Sequence, residues 1–135
     1  MIAAGLAALE RLFLPPTCLL CGGPGANGRD LCAGCHMDLP RNVNPCPRCA
    51  KPLPAGWTGP CDRCQAQPPS FDRAFAPFCY QPPVDFLLVQ LKFGGRLTCA
   101  RLLGDLFTVA LAARGAPPPD CIVPVPLHPR RLIDD

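Results

Sequence analysis

Eight cysteines between residues 18 and 64 constrain this chain more than any other feature. They fall as four CxxC pairs, Cys18–Cys21, Cys32–Cys35, Cys46–Cys49 and Cys61–Cys64, separated by ten, ten and eleven residues. Two cysteines three apart grip one ion from a tight turn. A second pair on a facing turn completes a tetrahedron of sulfur donors, the shell of a structural Zn²⁺. The array therefore predicts two closed four-cysteine sites, one Zn²⁺ in each. Gly22 and Gly23 directly follow Cys21, where a knuckle needs positive φ to aim backbone N–H groups at sulfur. Pro47 stiffens the third pair. The spacing leaves the pairing open. A sequential grouping closes loops of only ten or eleven residues, which costs less entropy than interleaving the pairs. Sequential sites, Cys18, Cys21, Cys32 and Cys35 then Cys46, Cys49, Cys61 and Cys64, are the expected ones.

Other uses of such cysteines fit less well. A disulfide framework belongs to an oxidising compartment. Thioredoxin-like chemistry uses one CxxC at a strand-to-helix turn, and here there are four. Residues 32–36 read CAGCH, the pattern of c-type haem attachment. That reading needs export and an axial partner, and the pair sits at the array's own spacing. An iron–sulfur cluster also takes cysteine, but two closed zinc sites account for all eight thiols. His36 is then a surface or supporting group.

At 135 residues the chain has room for one ordinary domain or two small ones. Eleven cysteines and twenty prolines put structure into turns and metal sites at the expense of a large core. Across residues 15–68 the five cations Arg29, Arg41, Arg48, Lys51 and Arg63 face three acids, Asp30, Asp38 and Asp62. Eight thiolates with two Zn²⁺ bring the loaded module to a formal charge of about −2. A strong phosphate-neutralising footprint is absent, and the arginines balance the thiolates. Trp57, alone in a Pro/Gly loop, reads as a packing residue rather than a base-stacking one. No apolar run reaches the roughly 18 residues of a membrane span. Leu6, Leu9 and Phe13 predict a short amphipathic helix over residues 1–14. Its apolar run is short and no basic residue precedes it, so it is not read as a signal peptide. Reduced, metal-bound thiols and the lack of a leader together predict a cytoplasmic protein.

Residues 65–70 (QAQPPS) mark a boundary between the zinc module, residues 15–68, and a second part, residues 71–135. Residues 71–80 are expected to form an edge strand, limited by Pro77. Pro82-Pro83 then opens a helix whose apolar face is Val84, Leu87, Leu88 and Leu91, with Asp85 favourably placed in its first turn. Gly94 and Gly95 end it. A second helix is expected over 97–114, with a stripe of Leu102, Leu106, Val109 and Ala113 widened by Leu103 and Phe107. Gly115 and Pro117–Pro119 stop it, residues 121–126 read as a short buried strand, and residues 127–131 form a basic loop. Strand, helix, helix, strand predicts an α/β segment. One or two strands do not make a covered sheet, so the segment reads as the incomplete opening of a larger domain. A protein partner over its unfinished faces would complete it. Cys79, Cys99 and Cys121 are read as buried core thiols. His128 has no catalytic partner in sight. Lys92, Arg96, Arg130 and Arg131 are read as solvated charges, with phosphate contacts their role in a longer relative.

The ordered set CxxC, CxxC with Asp38-Leu39-Pro40, CPRCAKPL, CDRC, PPSFDRAFAPFCY, LKFGGR and DCIVPVPLHPRR resembles the ComF family. These are competence-associated proteins with a double zinc ribbon before a type I phosphoribosyltransferase-like domain. The resemblance runs from Cys18 to Arg131. It implies two Zn²⁺ on the eight cysteines, a phosphoribosyltransferase-like second part, and a role in DNA uptake. Single-stranded DNA or the DNA-uptake machinery would then be the partner. The family's RGFNQ-like segment and its phosphoribosyl-diphosphate loop, two acidic residues before a TTG-like turn, are not found here. The sequence ends RRLIDD, and Asp134-Asp135 has no TTG after it. The expectation is thus a zinc-binding N-terminal portion of a phosphoribosyltransferase-like protein, with no catalytic residue and no complete active site. The alternatives are a stand-alone zinc ribbon that binds nucleic acid and a protein-interaction adaptor.

Overall fold

In a computed structural model, residues 15–115, 117 and 119–125 are described. Four helices occur in the order α1 (Ala33–Met37), α2 (Asp62–Ala66), α3 (Val84–Phe93) and α4 (Leu97–Ala113). The first half repeats one local plan twice: a knuckle built on one CxxC, then a one-turn helix capped by the next. In the first knuckle the Cys18 N–H donates to Gly23 O at 2.7 Å and the Gly22 N–H to Cys18 O at 2.9 Å, and Thr17 bridges Pro24. In the second, the Cys46 N–H donates to Lys51 O at 2.8 Å and the Ala50 N–H to Cys46 O at 3.0 Å, and Pro45 bridges Pro52. The residue after each second cysteine turns left-handed, Gly22 at φ 73° and Ala50 at φ 59°. Glycine takes that conformation freely; alanine takes it at a cost of about 1–2 kcal/mol. Cys32 and Cys61 are the N-caps of α1 and α2, both extended at ψ near 160°. Helices of five residues do not persist alone in water, so something must hold both.

Two apolar clusters follow. The larger joins Cys18, Leu31 and Leu39 to Val84 and Leu87 of α3 and to Cys99, Leu102 and Leu106 of α4. Leu87 and Cys99 are fully buried there. Each leucine so buried contributes roughly 1.5–3 kcal/mol. The smaller cluster is Cys46, Cys61 and Cys64, with Cys49 and Leu53 against it. The first four-cysteine unit is therefore one wall of the helical core, and the second has hardly more than its own sulfurs. The boundary read at residues 65–70 falls just after α2, but the larger core spans it.

The helices follow the sequence pattern closely. The α3 face is Val84, Leu87, Leu88 and Leu91. Gly94 ends the helix by donating to Gln90 O at 3.1 Å, and Gly95 turns the chain at φ 60°. A Cβ on Gly94 would meet Gln90 O at 2.8 Å, so only glycine fits. On α4 the buried stripe starts one turn earlier than expected, at Cys99, and runs through Leu102 and Leu106. Val109 and Ala113 are exposed, because this end of the helix runs past the core.

Both expected strands are corrected. No strand occurs among the described residues; pairing is confined to isolated bridges. Within 71–80 a single bridge forms, Phe78 to Arg41, with Cys79 N–H on Pro40 O at 2.7 Å and Asn42 N–H on Pro77 O at 3.0 Å. Pro77 and Pro40 lack N–H groups, so the ladder cannot extend through them. Residues 121–125 are exposed and not a buried strand: Ile122, Val123 and Val125 have no described strand to pair with. Of the three thiols read as core, Cys99 is buried, Cys79 half-buried and Cys121 exposed. The amphipathic helix expected over 1–14, the basic loop, His128, Arg130, Arg131 and Asp134-Asp135 lie outside the described residues.

Candidate metal centre

The eight cysteines form two groups. The Sγ atoms of Cys18, Cys21, Cys32 and Cys35 lie within 4.8 Å of one another, as do those of Cys46, Cys49, Cys61 and Cys64. The grouping is sequential, each knuckle facing the helix that follows it. Cys21 Sγ and Cys32 Sγ are 3.8 Å apart, and Cys49 Sγ and Cys61 Sγ 3.7 Å. Four sulfurs about 2.3 Å from a central ion have tetrahedral edges of about 3.8 Å. A disulfide would need about 2.05 Å. The donor sets thus have the size and the soft chemistry of structural zinc sites. Four thiolates close each shell and leave no position for substrate or water.

Comparison with known proteins points the same way. Residues 9–65 match a double zinc ribbon domain. Over 126 residues the chain is 39% identical to the DNA utilization protein YhgH of Salmonella typhi, covering 89% of this chain and 55% of that protein. The DNA utilization protein YhgH of Escherichia coli K12 is 37% identical over 125 residues, with the same coverage. The chain spans about half the length of the curated relatives it matches. No solved structure matches it significantly. These findings bear out the ComF-family resemblance and the pair of zinc sites.

The electrostatics of the two clusters suit a divalent cation. Burial alone would push the Cys18 thiol up, but backbone N–H groups of Cys32, Cys21 and Leu20 aimed at its sulfur outweigh that and bring it down to about 6. Cys46 behaves alike: burial opposes ionisation, the N–H groups of Cys49, Cys61 and Arg48 favour it, and the thiol falls to about 6. Cys35 and Cys64 go the other way. Cys35 is driven far up, chiefly because it donates to Cys32, with burial adding. Burial first, then the Cys49 and Cys61 thiols, push Cys64 up to about 12. One sulfur in each cluster ionises readily, while hydrogen bonding to neighbouring sulfurs and burial keep the proton on another. A divalent cation removes that conflict, because all four thiolates then share one positive centre.

Supporting contacts complete each shell. Cys35 N–H donates to Cys32 Sγ at 3.4 Å and Cys61 N–H to Cys46 Sγ at 3.3 Å. His36 is outside the sulfur cluster; its Nε2 accepts from the Arg41 guanidinium at 3.4 Å. Trp57 packs its loop, donating Nε1–H to Pro60 O at 3.3 Å. Lys92 and Arg96 are exposed at the α3–α4 turn and belong to neither cluster. Sequence reading missed Asn42, whose Nδ2 donates to Ala50 O at 2.8 Å and Ala76 O at 3.1 Å, tying the second knuckle to the segment before α3. Its only sequence signal was an amide between Pro40 and Pro45, two residues before a second one, Asn44. No helix among the described residues is long and apolar enough to cross a membrane.

Proposed function

We propose that this chain is a zinc-built module of a DNA-handling protein. The observation that carries the reading is the joint one: two four-sulfur clusters of zinc size, in a chain similar over 89% of its length to DNA utilization proteins. Cys18, Cys21, Cys32 and Cys35 hold one ion and Cys46, Cys49, Cys61 and Cys64 the other. The metal contributes folding energy, and the closed shells assign it no catalytic step. The helical pair α3–α4 opens a phosphoribosyltransferase-like part, as in the ComF family, and no catalytic residue is assigned in this chain. The module works in the cytoplasm, where thiols stay reduced. The test is genetic. Disrupting the gene should abolish growth that depends on supplied DNA, the wild-type gene should restore it, and a Cys18→Ser, Cys46→Ser double variant should not. Undiminished growth of the disrupted strain would refute the reading.

A second reading, an adaptor, draws on the exposed apolar run Ile122, Val123 and Val125. It predicts a purified chain that associates with itself or with a partner. A monodisperse monomer that captures none would discard it.

A further inference from the structure

The eight ligand sulfurs are not equally covered. In the second site Cys46, Cys61 and Cys64 are buried and Cys49 is half-buried. In the first, Cys18 is buried, Cys32 and Cys35 are half-buried, and Cys21 alone is exposed. The residues after each knuckle account for the difference. Gly22 and Gly23 follow Cys21; a Cβ on Gly23 would stand 3.5 Å from the Cys21 sulfur, and with none there the knuckle leaves that side of the sulfur uncovered. Ala50 and Lys51 follow Cys49. Ala50 is itself buried, with its carbonyl held by the Asn42 amide at 2.8 Å. Cysteine that binds zinc is a thiolate, and oxidation of cysteine follows thiolate character and exposure.

Cys21 also has a partner in reach. Its Sγ lies 3.8 Å from that of Cys32. Cys32 caps α1 and packs, with Cys18 and Cys35, in the core that holds Leu87, Leu102 and Leu106. The second site shares no residue with that core. A change at the first sulfur cluster therefore reaches α3 and α4 directly.

We propose that Cys21 is a modification site for hydroperoxides, and that its oxidation empties the first zinc site while the second keeps its ion. The proposal rests on the zinc reading of the two clusters. The Cys21 thiolate attacks one peroxide oxygen; an S–O bond forms, the O–O bond breaks, and the other oxygen leaves as alcohol or water after taking a proton from solvent. The Cys32 thiolate then attacks the sulfenic sulfur; an S–S bond forms, the S–O bond breaks, and hydroxide leaves and is protonated to water. The two sulfurs give up two electrons and the peroxide takes them. Zinc keeps its oxidation state throughout. Cys18 and Cys35 remain, two ligands where a structural site needs four. The first knuckle and α1 then lose what holds them, and the helical core loses its wall.

The test is hydrogen peroxide added to the zinc-loaded full chain, with a chromogenic chelator reading released metal. Cys121→Ser serves as the background, since Cys121 is exposed and belongs to neither cluster. One Zn²⁺ per chain should leave several-fold faster than the other. Mass spectrometry of alkylated peptides should find Cys21–Cys32 as the first disulfide, and hydrogen exchange should show α3 and α4 losing protection as that ion leaves. Dithiothreitol with added Zn²⁺ should restore both. Cys21→His keeps a zinc ligand and removes the thiol, so it should slow the first release to the rate of the second. If Cys21→His does not load two ions, timed alkylation of the loaded wild type decides: Cys21 should react first of the eight. Both ions leaving together, a first disulfide without Cys21, fast release from loaded Cys21→His, another of the eight alkylated first, or unchanged protection in α3 and α4 would each overturn the proposal. Two Zn²⁺ per chain before oxidant tests the zinc reading separately, so a loaded chain that ignores peroxide refutes the Cys21 site alone.

Discussion

The two four-cysteine units share one local plan and are put to different uses. The first shares a core with α3 and α4: Cys18, Leu31 and Leu39 pack on Leu87, Leu102 and Leu106. The second has a cluster of its own, with Leu53 the one non-cysteine side chain packed on it among the described residues. The same knuckle and one-turn helix thus serve once as a wall for other elements and once as a unit held to its neighbours by hydrogen bonds, in which metal replaces the apolar core.

Several measurements would break or sharpen this contrast. The largest effect is expected from removing both ions. Structural zinc in such modules is worth about 10–16 kcal/mol apiece, so a strong chelator should unfold both ribbons and free two Zn²⁺ per chain, read by elemental analysis. Retention of the native circular dichroism without metal would end the account. Acid comes next and should not discriminate. In the folded arrangement of the sulfurs, before the ion's own charge is counted, Cys18 and Cys46 are lowered from 9.0 to about 6. A lowered thiol contributes stability that is complete above about 9 and lost as the pH falls through 6. Protons and zinc then compete for the same sulfurs. Zinc occupancy should be full at pH 8 and fall as the pH drops below 6, at a similar midpoint for both sites, followed with a chromogenic chelator.

Leu87→Ala separates the units. It should cost about 2–5 kcal/mol in the denaturant-unfolding of the helices, and weaken zinc retention at the first site while leaving the second unchanged. Equal weakening at both sites would show that the cores are coupled. The smallest effect is at the turns. Gly22 has no atom within 4 Å of where a Cβ would stand, and its φ is 73°. Ala50 occupies the equivalent turn at φ 59°. Gly22→Ala should therefore fold, with a loss of about 1 kcal/mol measured by zinc-saturated thermal unfolding.

Much of this was legible in the sequence because cysteine spacing and helical periodicity are local. The knuckles and the α3 face could be read residue by residue, and Gly94-Gly95 ended α3 where expected. The strands could not be read that way. FDRAFAPFCY has strand-like composition, but ladder formation needs a partner with free N–H groups, and Pro40 and Pro77 withhold them. The asymmetry of the two ribbons was visible and passed over. Leu19, Leu20, Leu31 and Leu39 crowd the first, against Leu53 and Trp57 in the second. Leucines in a zinc module beyond its own needs point to something else that they cover. Cys99 was read as a buried core thiol, which it is, but was not joined to the α4 stripe, so the stripe was placed a turn late.

Hydrogen exchange of α3 and α4 in two variants, Cys18→Ser and Cys46→Ser, each loaded with its one remaining zinc, tests the central contrast most directly. Losing the first site should strip the helices of protection, because Cys18, Cys32 and Cys35 are part of their core; losing the second should leave them protected. Helices that stay protected without the first site, or that open equally in both variants, would contradict the account.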